Sequence, residues 1–97
     1  MANFQAIVMN PQDNVATVVE PIACGATVGV NIGGQTVSIQ AAEKIPLGHK
    51  LSIREIAAGD SIIKYGEVIG LATQPIITGQ HVHVHNLESC RGRGDKL

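Results

Sequence analysis

Four stretches of the chain, Ile22 to Val28, Ile45 to Leu51, Ile56 to Ile62 and Ile76 to Val82, read Ile-x-x-Gly-x-x-aliphatic. A glycine three residues after one aliphatic and three before another fits a turn that needs positive φ, where glycine escapes the Cβ penalty. Each stretch therefore predicts two short extended pieces joined by a tight turn. Four turns in one phase predict a chain that reverses often and has little room for helix. At 97 residues it forms one domain, and such a length buries roughly 60 to 65% of its unfolded surface. With one Phe, one Tyr and no Trp, the core has to be built from Val, Ile, Leu and Ala, and the first two favour strands.

Between the turns lie segments of strand character: NFQAIVM near the start, NVATVVE (14–20), TVGVNI (27–32), QTVSIQ (35–40), KLSIREI (50–56), SIIKYG (61–66), EVIGLA (67–72) and HVHVH (81–85). Several alternate apolar and polar residues, the period of a strand with one face in a core. Gly33-Gly34 is a short hairpin signal. QAAEKIP has room for one turn of helix before Pro46 discourages more, and IREIAAGD for one turn before Gly59. The expected fold is mostly β: a compact domain of short strands with little helix, covering residues 1–88, followed by a flexible C-terminal tail at 89–97.

The net charge of −1 argues against nucleic acid as a partner, since gripping phosphates needs Lys and Arg gathered on one face. No apolar run reaches membrane-spanning length, and the first residues lack the basic start and apolar stretch of a signal peptide. The expectation is a cytoplasmic protein with no membrane partner. Cys24 and Cys90 have no CxxC spacing, so free or buried thiols are expected rather than a disulfide.

His81, His83 and His85 alternate with Val82 and Val84. If the segment is extended, the three imidazoles share one face and the valines anchor the other in the core. Neighbouring rings on such a strand can share a metal, but His81 and His85 would stand about 13 Å apart along it, so one strand supplies two ligands and rarely three. Further ligands have to come from elsewhere, and His49, after Gly48, is the remaining histidine. The residues alone leave three readings open: a metal site, contacts to a substrate or partner, and a solvated face with no task.

Taken together, GHKLSIREIAAGDSIIKYGEVIGLA (48–72) and ITGQHVHVHN (77–86) resemble the small domain that begins altronate dehydratases and related sugar-acid dehydratases. That domain is of the SAF group, with a β-clip fold. The ending ESCRGRGDKL resembles chains in which the domain is a separate small subunit, including those of altronate dehydratase and sulfolactate sulfo-lyase. The resemblance implies a lyase acting on a 2-hydroxy acid, a carbon-oxygen lyase in the dehydratases. A proton is abstracted next to a carboxylate, and the group on the neighbouring carbon is expelled as water or sulfite, leaving a 2-keto acid once the enol rearranges. It implies a divalent metal, iron or manganese, in the assembled enzyme, held mainly by a large catalytic subunit. The family motifs fall on His49 and Lys50, Lys64 and Tyr65, and His81, His83, His85 and Asn86. The implied roles are His49, His83 and His85 at the catalytic site, with His83 and His85 as metal ligands. Lys50, Lys64, His81 and Asn86 would bind a sugar acid or sulfonated hydroxy acid, a lysine neutralising its carboxylate. Tyr65 only packs in one reading, and Asn86 caps a turn in another.

The expected function is thus the small subunit of a two-subunit dehydratase, inactive without its large partner. The rival readings are a free-standing SAF module that binds carbohydrate, and a small metalloenzyme of cupin type, which would need a histidine after His85 that the chain lacks. Exposed β edges make a homo-oligomer a further expectation. Arg93-Gly94-Asp95 reads as part of a docking segment and not as an adhesion signal.

Overall fold

A computed structural model describes residues 4–89. It holds nine strands and, among the described residues, no helix: β1 Ala6–Val8, β2 Val15–Val18, β3 Thr27–Ile32, β4 Gln35–Gln40, β5 Lys50–Ser52, β6 Ser61–Lys64, β7 Glu67–Ala72, β8 His81–Val82 and β9 Leu87–Ser89. They form a six-stranded sheet ordered β4-β3-β1-β2-β5-β8 and a three-stranded sheet ordered β6-β7-β9. Among the described residues, only β1 and β3 pair in parallel. None of the described residues belongs to a helix long and apolar enough to cross a membrane.

The four glycine repeats are four copies of one turn. Gly25, Gly48, Gly59 and Gly79 have φ between 84° and 93°. In each copy the residue after the glycine donates its N–H to the carbonyl three residues back, as in Ala26 to Ala23 and His49 to Pro46. This is the type II geometry that demands a left-handed third residue. Each glycine N–H is also spent outside its turn, on the carbonyls of Ala41, Val18, Ala72 and Ser52 respectively. The isoleucines that open the repeats pair as bridges, Ile22 with Ile45 and Ile56 with Ile76. All four are buried, so every turn is pinned by a core side chain at one end and a backbone bond at its apex.

Two apolar clusters result. The larger joins Val18, Val28, Val30, Ile45 and Leu51 among others, and the smaller joins Val15, Ile56, Ile62, Ala72, Ile76 and Val82. Asp13 and Asn14 tie the two sheets together. The buried Asp13 carboxylate accepts from the N–H of Gly66 at 2.8 Å. Asn14 accepts from Ile63 N–H at 2.8 Å and donates to Ser61 C=O at 2.8 Å.

Several expectations are corrected. KLSIREI does not run extended to residue 56; β5 ends at Ser52, and Ile56 makes only its bridge to Ile76. Neither QAAEKIP nor IREIAAGD contains a helical turn, because both are taken up by the approach to a glycine turn. HVHVH is not one strand, since β8 stops at Val82 and residues 83–86 turn. β9 is a strand that no sequence signal marks. Its last residue, Ser89, falls where the tail was expected to begin, and the rest of that tail, with Cys90 and Arg93-Gly94-Asp95, lies outside the described residues. Cys24 is an exposed free thiol. The Gly33-Gly34 hairpin is as expected, joining β3 and β4 in register from Ile32↔Gln35 to Thr27↔Gln40.

Candidate functional site

β5 and β8 pair antiparallel, with Lys50 opposite Val82 and Leu51 opposite His81. One step further along this ladder, His49 falls opposite His83, and diagonal to His81. Cross-strand neighbours of this kind place Cβ atoms within about 5.5 Å. The rings of His49 and His83 stack with centroids 4.1 Å apart and 19° between planes. His49 and His81 are 5.1 Å apart at 26°, with Nδ1 of His49 2.9 Å from Nε2 of His81. His81 and His83 lie 5.5 Å apart with their planes nearly parallel, at 11°. One ligand nitrogen from each of His49, His81 and His83 lies within 4.8 Å of the others.

The rings converge because the chain turns. Val82 is buried as expected, but Val84 is 79% exposed and anchors nothing. Asn86, 1% exposed, organises the turn. Its Oδ1 accepts from His83 N–H at 2.9 Å and its Nδ2 donates to His81 C=O at 2.9 Å. Its own N–H donates to His83 C=O at 3.0 Å. The same turn brings His85 back to 5.1 Å from His81, where an extended backbone would hold it far off. His85 is exposed at the rim and is not among the three grouped nitrogens.

The other members have separate anchors. His49 follows the Gly48 turn, and its carbonyl accepts from Val18 N–H at 2.9 Å. Glu43 Oε2 accepts from His81 N–H at 3.1 Å; no motif marked this contact, which depends on the packing of residues 40–42 against the fourth turn. Burial, then the charges of His85, His49 and His83, lower the His81 pKa, with Glu43 opposing. Burial, then His49, Lys50 and His85, lower that of His83. Both shifts favour neutral imidazole, the form that donates a lone pair.

Beside the imidazoles stands a cationic patch. Lys50 is half-buried, and its pKa is lowered by burial and then by Lys64. Lys64 Nζ lies 4.9 Å from the Tyr65 ring centroid. Tyr65 sits at φ 56°, and its hydroxyl is 3.2 Å from Thr17 Oγ1. Tyr65 is thus half-exposed and bonded through its polar end rather than simply packed.

The donor set fits the divalent metal that the resemblance implies. The fit rests on one atom above all: Nδ1 of His83 is buried and has no hydrogen-bond partner among the described residues. A buried polar atom in that state is costly unless something outside the chain satisfies it. The ligand group differs from the expected pair, joining His49 and His81 to His83 and leaving out His85.

The family model described as the altronate/galactarate dehydratase SAF domain matches residues 4–90. The chain is 44% identical over 57 residues to a (2R)-sulfolactate sulfo-lyase subunit alpha of Chromohalobacter salexigens, covering 59% of this chain and 61% of that protein. It is 39% identical over 83 residues to an altronate dehydratase of Bacillus subtilis, covering 86% of this chain and 16% of that protein. An altronate dehydratase of Escherichia coli gives 40% identity over 83 residues, with 86% of this chain and 16% of that protein covered. The chain therefore spans less than two thirds of the length of each of these relatives.

Proposed function

The chain belongs to the altronate/galactarate dehydratase SAF-domain family, and from that premise we propose that it is the small subunit of a two-subunit sugar-acid dehydratase. In this reading it completes an active site carried mainly by a large subunit. The reaction eliminates water from a 2,3-dihydroxy acid of the altronate type. The C2 proton leaves to a base, the C3 hydroxyl departs as water, and the resulting enol becomes a 2-keto-3-deoxy acid. The observation that carries the reading is the convergence of His49, His81 and His83 on one half-open face.

The roles follow from position. Lys50 and Lys64, for which no ion pair occurs among the described residues, neutralise the substrate carboxylate as compact point charges. His85, exposed at the rim, donates or accepts a proton at an imidazole nitrogen. Asn86 acts on His81 and His83 through the turn. Iron or manganese would be held by His49, His81 and His83, and when bound would supply Lewis-acid stabilisation of the developing negative charge.

A second reading is favoured by one observation, the 61% coverage of a sulfo-lyase subunit alpha: the same architecture serving a sulfolactate lyase, with sulfite as the leaving group. One experiment addresses both. The chain is mixed with its large subunit and assayed with altronate and with (2R)-sulfolactate. Turnover of altronate that needs both chains and is lost in His83→Ala supports the first reading. Turnover of sulfolactate alone supports the second. Full activity of the large subunit by itself removes both.

A further inference from the structure

We propose that His49, His81 and His83 form a transition-metal site that this chain fills by itself, before and without any large subunit. The lyase reading supplies a use for the metal; the binding stands on the donor geometry alone.

Two nitrogens bound to one tetrahedral ion at about 2.0 to 2.1 Å stand about 3.3 Å apart. His49 Nδ1 and His81 Nε2 are already 2.9 Å apart, and one ligand nitrogen from each of the three rings lies within 4.8 Å of the other two. Small ring rotations close the set. The proton shared between His49 and His81 gives way to the ion by moving to the far nitrogen of its own ring, so both imidazoles stay neutral. His83 contributes the buried Nδ1 that nothing else in the chain satisfies.

The scaffold fixes the backbone that carries these rings. The His81 backbone N–H is fixed by Glu43, and the His83 backbone N–H and His81 carbonyl by Asn86. The His49 backbone is fixed by the Gly48 turn and Val18. Three neutral imidazoles suit zinc, cobalt, nickel or ferrous iron, and disfavour magnesium and calcium, which take oxygen ligands. Affinity is expected to rise from manganese through iron to cobalt. Three protein ligands leave a coordination position open for an oxygen of substrate or water, as in catalytic sites.

The test uses the untagged, chelator-stripped 97-residue chain and Co2+ as probe, with no large subunit and no substrate. The expected result is one Co2+ per chain, visible d–d absorption, displacement by Zn2+ and no response to Mg2+. His49→Ala, His81→Ala and His83→Ala each weaken Co2+ binding by more than about 100-fold, beyond the cost of an outer contact, while His85→Ala binds as the wild type. Circular dichroism checks that each variant is folded. Where one is not, imidazole 15N spectra of the wild type decide: Zn2+ shifts the rings of His49, His81 and His83 and leaves His85. No saturable Co2+ binding, equal loss in His85→Ala, or a shifted His85 with the other three unmoved overturns the proposal. Because no turnover is read, failure here leaves the lyase reading to its own assay.

Discussion

His49 and His83 face each other across the β5–β8 ladder, their rings stacked at 4.1 Å, although 34 positions of sequence separate GHK from the centre of HVHVH. Neither strand carries the site alone. β5 contributes one ring from just before its first residue, and β8 contributes two from its first residue and the turn beyond it.

Removing the Asn86 side chain should disperse that arrangement. Asn86→Ala leaves the His83 N–H and His81 carbonyl without their partners and is expected to cost about 1 to 3 kcal/mol. Urea denaturation measures this. A variant as stable as the wild type would mean that the turn is held by something else.

Acid should destabilise the chain through His81 and His83. Both pKa values are lowered from 6.5 in the folded state, so below that pH the unfolded chain binds more protons. Stability is therefore complete above about pH 6.5 and falls as the pH drops through the lowered values, with no change on the alkaline side. The charges of His49, His85 and Lys50 add to this, and Glu43 opposes it. The double variant His81→Gln, His83→Gln should flatten the acid limb of a stability-against-pH curve. An unchanged limb would assign acid sensitivity to other groups.

The two sheets should separate in energy when Asn14 is lost. Asn14→Ala removes bonds to both Ser61 and Ile63 of β6 and is expected to cost about 1 to 3 kcal/mol. Hydrogen exchange should show β6, β7 and β9 losing protection more than β3 and β4. Uniform loss would contradict this division.

Gly79 should be the least replaceable of the turn glycines. A Cβ there would lie 2.2 Å from the Gln40 carbonyl oxygen, whereas one on Gly48 meets nothing within 4 Å. Both pay about 1 to 2 kcal/mol for a left-handed alanine, so Gly79→Ala should lower Tm clearly more than Gly48→Ala. Equal shifts would show that residues 40–42 yield.

Much of this architecture was readable from the residues. The four glycine turns carry local instructions, a buried isoleucine and a left-handed glycine, that do not depend on distant partners. QTVSIQ and TVGVNI alternate across a Gly-Gly hairpin and form the strands their pattern predicts. HVHVH misled because period two is satisfied by any alternating string, while the strand was ended by Asn86, whose side chain bonds back to the backbone it follows. The site was half legible. His49 and the three later histidines were all singled out, but the 49-to-83 register depends on long-range pairing that periodicity does not encode. Glu43 and the orphaned His83 nitrogen depend on packing alone. The resemblance marks Lys64 and Tyr65, whereas the Tyr65 contact to Thr17 depends on packing between distant segments.

The most direct test counts nitrogen ligands on a bound ion. X-ray absorption at the zinc edge, on the chain loaded with one Zn2+, should show the outer-ring scattering of three imidazoles bound at about 2.0 to 2.1 Å, with oxygen completing the shell. A shell of oxygen alone, or one containing a single imidazole, would contradict the convergence of His49, His81 and His83 on one site.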